Sequence, residues 1–469
     1  MIGSKTELFS VLRQFNPWWA GERNELPSWK RAAFHEMTTW IENPPANRAL
    51  LLSGARQVGK TTLFLQAIDH LLNQGVSPSN ILYATFDHPL LKLLGLEGLL
   101  KLWREFEPAQ DGTEYLFLDE IQITKDWQTW LKHQVDFEKK RRIAVTGSAT
   151  PLNREGQESG VGRWHTLRLA TLSFYEYLQL RGTAVELPSV HTLKDLLDWN
   201  EARFSRTALQ AQPLIGHFHE YLLRSGFPQC AQVENIATAQ KLLREDIVDK
   251  VLKRDMTALF GVRRVVELEQ VFLYLCLHDG GQVSLSDLCK NLELKRPTVE
   301  NFIDLLESTH LIYRLRAFGY GKEVLRGRSK IYLADPAIGP SVLLRGKTLW
   351  ENPAWMGQAV EAAFFKHVYT RYYRQSIGFS YWRGKKDEEV DIISDLGNRL
   401  VPFEVKYRSG GSIDLKALEA FCRERHLDLG YVITRDMEDF GVIRRPSYAL
   451  LKIPAPLACY WLGRSEIEG

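Results

Sequence analysis

Ala49-Leu-Leu-Leu-Ser-Gly54-Ala-Arg-Gln-Val-Gly59-Lys60-Thr61-Thr62 decides how the chain is read. An apolar run ends at Ser53 and passes directly into Gly54, and after four residues Gly59-Lys60-Thr61 open a helical pattern from Leu63 to Leu72. This is G-x-x-x-x-G-K-T between a strand and a helix, the context that separates a phosphate-binding loop from a chance match. Glycines let the backbone curl so that successive N–H groups converge, and the following helix adds the positive end of its dipole. Gly54, Ala55, Arg56, Gln57, Val58, Gly59, Lys60, Thr61 and Thr62 are therefore read as a cradle for ATP. Lys60 is expected to reach the β- and γ-phosphates, and the Thr61 hydroxyl to ligate magnesium.

Downstream, Ile81–Phe86 reads as a second strand and Leu90–Phe106 as a helix, and Tyr115-Leu-Phe-Leu-Asp119-Glu120 follows. Four apolar residues closed by two carboxylates fit a buried parallel strand that delivers acids at its C-terminal end, where such sheets bind ligands. Asp119 is the expected magnesium partner and Glu120 the expected base for the attacking water. Arg142–Thr146 reads as another strand running into Gly147-Ser-Ala-Thr150. A hydroxyl at that tip can sense the γ-phosphate or place water: Ser148 is favoured, with Thr146 as the alternative. Against both stands a plain tight turn of small residues. Thr166–Ala170 completes an expected five-stranded sheet. Upstream, Trp18, Trp19 and Trp29 precede a helix expected over Trp29–Ile41 and stopped by Asn43-Pro44-Pro45. Such aromatics pack against a core or against a neighbouring subunit.

The whole chain has 469 residues, enough for two to four domains, with a net charge of +3. That charge is too small to announce nucleic acid by itself, so any such surface is local. Five cysteines without a C-x-x-C pair exclude a disulfide scaffold or zinc ribbon and point to a reduced compartment. No run is long enough to span a membrane, and Lys5 and Glu7 stand where a signal-peptide core would be. The expectation is a cytoplasmic protein with no membrane partner.

Gly54-Ala-Arg-Gln-Val-Gly-Lys-Thr, Leu118-Asp-Glu-Ile-Gln, Thr146-Gly-Ser, Gly162-Arg163 and Leu172-Ser-Phe-Tyr-Glu-Tyr together resemble the prokaryotic AAA-like ATPases whose C-terminal half is a domain of unknown function. The resemblance runs from about Arg48 onward and implies an AAA-type fold that binds ATP with Mg2+. Arg163 falls where such proteins carry an arginine, in cis or across a subunit interface of a homo-oligomer; a surface ion pair is the competing reading. The expected organisation is α/β throughout: an N-terminal helical extension (1–48), a P-loop AAA-type parallel-sheet core (49–170) and a helical lid (171–265), then a winged helix (266–345) and a restriction-endonuclease-like domain (350–460).

In the lid, helices are expected over Lys194–Ala211, Leu214–Ser225 and Ala237–Leu259, with Gly226-Phe227-Pro228 as an interruption also seen in the resembling family. Lys250, Lys253, Arg254, Arg263 and Arg264 make it locally basic, which ordinarily means a solvated face. The winged-helix pattern raises DNA as a partner, and Lys295, Arg296, Arg314, Arg316, Arg326 and Arg328 speak for it. Glu300, Asp304 and Glu307 on the second helix speak against it. In the last segment the order α-β-β-β-α-β, with Glu361, Glu389-Val-Asp391 and Phe403-Glu404-Val-Lys406, looks like a restriction-endonuclease-like nuclease core. Strand alternation puts Glu404 and Lys406 on one face. Asp391 and Glu404 are read as ligands of a metal, Lys406 as the group that steadies the attacking water, and Glu361 as an outer acid. A salt-bridge cluster on an inactive fold is the alternative, in which case the chain is a nucleotide-dependent switch or scaffold.

Overall fold

The computed structural model describes residues 4–108, 110–148, 162–319, 328–376, 378–384, 388–408 and 413–468. They form two compact units, the first running to Leu169 and including Ser308–His310, the second covering Ala170–Glu307 and the chain from Leu311 onward.

In the first unit, β1 (Ala49–Gly54), β2 (Ile81–Thr85), β3 (Glu114–Asp119), β4 (Arg141–Gly147) and β5 (Trp164–Leu169) form an all-parallel sheet in the order β2-β3-β4-β1-β5. The expected strands are present, the last beginning two residues before Thr166. Their continuous apolar runs are buried because crossover helices such as Lys60–Asn73 and Pro89–Phe106 cover the sheet. Since every strand runs the same way, the C-terminal ends of β1, β3 and β4 share one edge. The register Ser53↔Gly147 and Leu118↔Val145 fixes their alignment.

β2 is the outer strand on one side, and the N-terminal extension seals it. The Asn16 side chain donates to the Tyr83 carbonyl at 2.8 Å and accepts from the Tyr83 N–H at 2.7 Å, pairing with the backbone as another strand would. The Trp18 and Trp19 indoles donate to the Ile81 carbonyl at 3.2 and 3.1 Å. The extension is thus part of this core; its second helix is Ala33–Glu42, starting four residues after Trp29.

In the second unit, helices Glu201–Gln210 and Pro213–Arg224 lie where the lid was expected. The expected helix Ala237–Leu259 is Ile236–Leu242, a π-helical stretch Leu243–Asp255, and Met256–Phe260. Within it Lys250 pairs with Asp246 at 2.7 Å and Lys253 with Asp249 at 3.3 Å.

Strands from the segment expected to be a winged helix and from the segment expected to be a separate C-terminal domain build a single mixed sheet. β6 (Gln282–Val283), β7 (Ile312–Ala317), β8 (Ser329–Leu333), β9 (Gly378–Arg383), β10 (Glu389–Asp395), β11 (Leu400–Lys406), β12 (Leu429–Thr434), β13 (Gly441–Arg444) and β14 (Ala449–Pro454) lie in the order β13-β14-β12-β11-β10-β9-β7-β8-β6. The two modules fuse where β9 pairs with β7, Arg316↔Ser380 and Ala317↔Tyr381, because an exposed wing edge leaves peptide groups that another strand can satisfy. The expected α-β-β-β-α-β order holds, with helices Pro353–Tyr372 and Lys416–Glu424. β6, β13, β14 and a closing helix Ala455–Glu468 were not foreseen. Ala455 to Gly463 is buried without a break, so that helix has no amphipathic period to read.

Candidate functional site

The phosphate-loop residues stand at the C-terminal edge of the first unit's sheet. A Cβ on Gly54 would come within 2.3 Å of the Leu169 carbonyl oxygen, so glycine is required by the closeness of β5. Gly59 has φ +97°, a left-handed turn that aims the start of the following helix at the loop. Ala55 and Val58 are buried under the loop, and Arg31 donates to the Val58 carbonyl at 2.9 Å. Gln57 also takes a left-handed conformation, φ 61°. Lys60, 4 % exposed, donates to the carbonyls of Gly54 and Ala55 at 2.9 Å each, which centres its ammonium in the loop. Arg56 is half-buried in the loop and Thr62 is exposed on the first turn of the following helix.

Opposite the lysine, Thr61 Oγ1 donates to Asp119 Oδ2 at 2.8 Å, the Tyr83 hydroxyl to the same oxygen at 3.0 Å, and Thr146 Oγ1 to Asp119 Oδ1. Burial pushes the Asp119 carboxyl above its ordinary range, while the threonine hydrogen bonds pull the other way. Burial and the neighbouring carboxylate of Asp119 push the Tyr83 phenol up as well, which keeps it a donor. The Glu120 carboxylate has Oε1 at 3.8 Å from Lys60 Nζ, and its Oε2 accepts from Ser148 Oγ at 2.9 Å. Its N–H donates to Thr146 Oγ1 at 2.9 Å. Glu120 is left-handed, φ 54°, a conformation that is rare outside glycine and concentrates at functional sites. Ser148 and Thr146 therefore divide the roles between them: Thr146 fixes Asp119 and the Glu120 backbone, and Ser148 meets the Glu120 carboxylate. Ala149 and Thr150 lie outside the described residues.

Arg163 is not brought to this edge. Ala49, at the start of β1, donates to the Arg163 carbonyl at 3.0 Å, which puts Arg163 at the N-terminal end of the sheet, where its guanidinium meets Asp136 at 2.9 Å. With six-residue strands at about 3.3 Å per residue, it stands a full strand length from the loop, too far to serve a nucleotide in cis. The arginine on β5 near the loop is Arg168, paired in register with Ser53. His310, far along the chain, is 2.9 Å from Ser53 Oγ; burial, followed by the charges of Lys60 and Arg168, holds its imidazole down to about 3, so it is neutral.

In the second unit the sequence-predicted acids do converge, but around a lysine that the sequence reading overlooked. Lys330 Nζ on β8 lies 2.8 Å from Glu361 Oε1, 2.8 Å from Asp391 Oδ1 and 3.0 Å from Glu389 Oε1. Burial disfavours its charge, but Asp391 and Glu361 prevail and hold its pKa well above normal. The other Asp391 oxygen accepts the Val405 N–H at 2.8 Å, Glu361 also accepts from the Tyr332 hydroxyl at 2.7 Å, and Lys406 pairs with Glu404 Oε1. Both oxygens of Asp391 are thus engaged, while Glu404 Oε2 is buried without a hydrogen-bond partner among the described residues. Among the described residues no set of three acid, histidine or cysteine side chains is arranged to hold a metal ion. A lysine heading the otherwise apolar run Lys330-Ile-Tyr-Leu was the available signal. Two of the winged-helix arginines are paired internally, Arg314 with Asp304 at 2.8 Å and Glu307 at 2.7 Å, and Arg296 with Glu300 at 2.8 Å; Arg326 lies outside the described residues.

Residues 46–178 match the family model described as an AAA domain. The first unit carries an AAA-type P-loop ATPase domain. Beyond this ATPase domain, residues 215–348 and 356–455 match two families described as domains of unknown function, DUF8612 and DUF4143. The chain is 26% identical over 369 residues to an uncharacterized protein of Haemophilus influenzae, covering 76% of this chain and 82% of that one. It is 27% identical over 376 residues to an uncharacterized protein of Methanocaldococcus jannaschii, covering 77% and 76%. Among solved structures it resembles a Walker-type ATPase of Pyrococcus abyssi, with 14% identity, 66% and 94% coverage and a TM-score of 0.37. Among the described residues no helix is long and apolar enough to cross a membrane.

The Leu172-Ser-Phe-Tyr-Glu-Tyr motif that follows the ATPase domain is structural. Ser173 and Glu176 cap their helix reciprocally, Leu172 N–H donates to the Gly226 carbonyl at 2.7 Å, and Phe174 N–H donates to buried His367 at 2.7 Å. A Cβ on Gly226 would meet the Leu172 carbonyl oxygen at 2.6 Å, so the motif and the Gly226-Phe-Pro interruption require each other.

Proposed function

We propose that the protein binds and hydrolyses ATP at the edge formed by β1, β3 and β4, and that its second unit is a binding platform for a partner rather than a metal-dependent nuclease. The observation that carries the reading is the convergence of Lys60, Thr61, Asp119, Glu120 and Ser148 at that edge. Lys60 holds positive charge where the β- and γ-phosphates are cradled by the loop. Glu120 takes a proton from the water whose oxygen bonds to the γ-phosphorus, and the bond from that phosphorus to the bridging oxygen breaks with its electron pair leaving on ADP. Two hard oxygens 2.8 Å apart, one on a buried carboxylate, suit Mg2+, which Thr61 and Asp119 would hold. When bound it supplies positive charge to the phosphate oxygens.

Lys60→Ala is expected to abolish nucleotide binding, measured by titration with a fluorescent ATP analogue. Glu120→Gln is expected to keep binding and lose turnover, since only the proton acceptor is removed. Unchanged hydrolysis in Glu120→Gln overturns the assignment. For the second unit, the ammonium of Lys330 between three carboxylates supports a fixed ion-pair cluster. Incubation with plasmid, single-stranded and branched DNA, with magnesium or manganese, with and without ATP, is expected to give no cleavage. Cleavage that disappears in Asp391→Ala restores the nuclease reading.

A further inference from the structure

The hydrolytic site contains a side chain that the roles above leave unused. Gln122 follows Glu120 by two residues, on the short turn Ile121–Ile123 that the left-handed Glu120 creates at the end of β3. Its amide nitrogen donates both to Glu120 Oε2 and to Ser148 Oγ, the latter at 3.0 Å. Those contacts orient the amide, because its donor end faces the carboxylate. Its acceptor end, Oε1, is then buried with no hydrogen-bond partner among the described residues. A buried acceptor left open in a native structure calls for an explanation, since such groups are nearly always satisfied.

The chemistry of the site supplies one. The attacking water has two protons and needs two acceptors if its lone pair is to point at the γ-phosphorus; Glu120 provides one. We infer that Gln122 provides the other: its Oε1 accepts the second water proton while its amide nitrogen keeps the Glu120 carboxylate in place. Gln122 is thus a positioning residue for the hydrolytic water. The covalent step is unchanged: the water oxygen bonds to phosphorus, one proton passes to Glu120, ADP leaves with the electron pair, and the proton hydrogen-bonded to Gln122 stays on the new phosphate oxygen. The inference rests on the ATPase reading and adds the group that sets the geometry of attack.

The test uses the full chain. Gln122→Met, which keeps the length and loses both hydrogen-bonding ends, is expected to lower kcat 10-fold or more while the KM for ATP and the Kd for ADP stay within 2-fold. Gln122→Ala, checked by the same ADP titration and by thermal unfolding, guards against a fault specific to methionine. In the Glu120→Gln background, Gln122→Met is expected to add little further loss, because both side chains serve one step. A wild-type kcat in both variants overturns the inference and leaves the ATPase reading intact, as does a loss that tracks weakened ADP binding or a lowered Tm. Wild-type protein that turns over no ATP overturns the ATPase reading and the inference together.

Discussion

A buried ammonium is stable only where its charge is matched, and Lys330 has three carboxylates within 3.0 Å. Removing one partner of such a cluster leaves like charges facing each other without water. Lys330→Met is therefore expected to destabilise the second unit by about 3–5 kcal/mol, read by urea denaturation. If carboxylates there were instead held by a divalent ion, chelator would lower the stability of the wild-type protein. EDTA is expected to leave it unchanged. At the sheet edge of the first unit the same arithmetic works differently: Asp119 is buried with three hydroxyl donors around it, from Thr61, Tyr83 and Thr146.

At the scale of elements, the edge strand β2 shows how a side chain can stand in for a strand. Asn16 makes the two hydrogen bonds with Tyr83 that a neighbouring peptide would make, and a third to the Leu12 carbonyl at 2.8 Å. Asn16→Ala leaves the Tyr83 backbone buried and unpaired, and is expected to cost about 1–3 kcal/mol of the first unit's stability, measured by chemical denaturation. Loss of less than a few tenths would mean that water reaches Tyr83 and that the extension is loosely held. The second unit closes an edge differently, by pairing β7 with β9, which turns two sequence modules into one sheet.

At the scale of the whole molecule, buried acids in the second unit couple stability to pH. Burial, then the charge of Asp391, raises the Glu361 carboxyl from 4.5 to about 7 and the Glu404 carboxyl from 4.5 to about 8. Burial raises Asp279 from 3.8 to about 8. Each binds its proton more tightly folded than unfolded. The stability they contribute is therefore full below the unfolded values and is lost as pH rises through about 7 to 8. The unfolding transition of the second unit is expected to fall in temperature between pH 6 and about pH 9, and Glu404→Gln is expected to flatten that slope in differential scanning calorimetry. A slope that is the same in wild type and Glu404→Gln removes Glu404 from the account.

What the sequence determined by itself is the ATPase edge. The loop at 54–62, the acids at 119 and 120 and the hydroxyl at 148 are each local patterns on a parallel sheet, and parallel strands bring their C-terminal ends together whatever else the chain does. Glu361, Asp391, Glu404 and Lys406 were legible in the same way, as positions on neighbouring elements. Tertiary structure alone decided what occupies the space between them, because β8 lies across the sheet from β10 and pairing between distant strands leaves no local periodicity to read. The place of Arg163 at the far end of the sheet was already implied by the expected strand Thr166–Ala170, because Arg163 precedes that strand and every strand of the sheet runs the same way. The amide of Gln122 acquired its role from a left-handed turn at Glu120, a backbone state that the residue type does not announce.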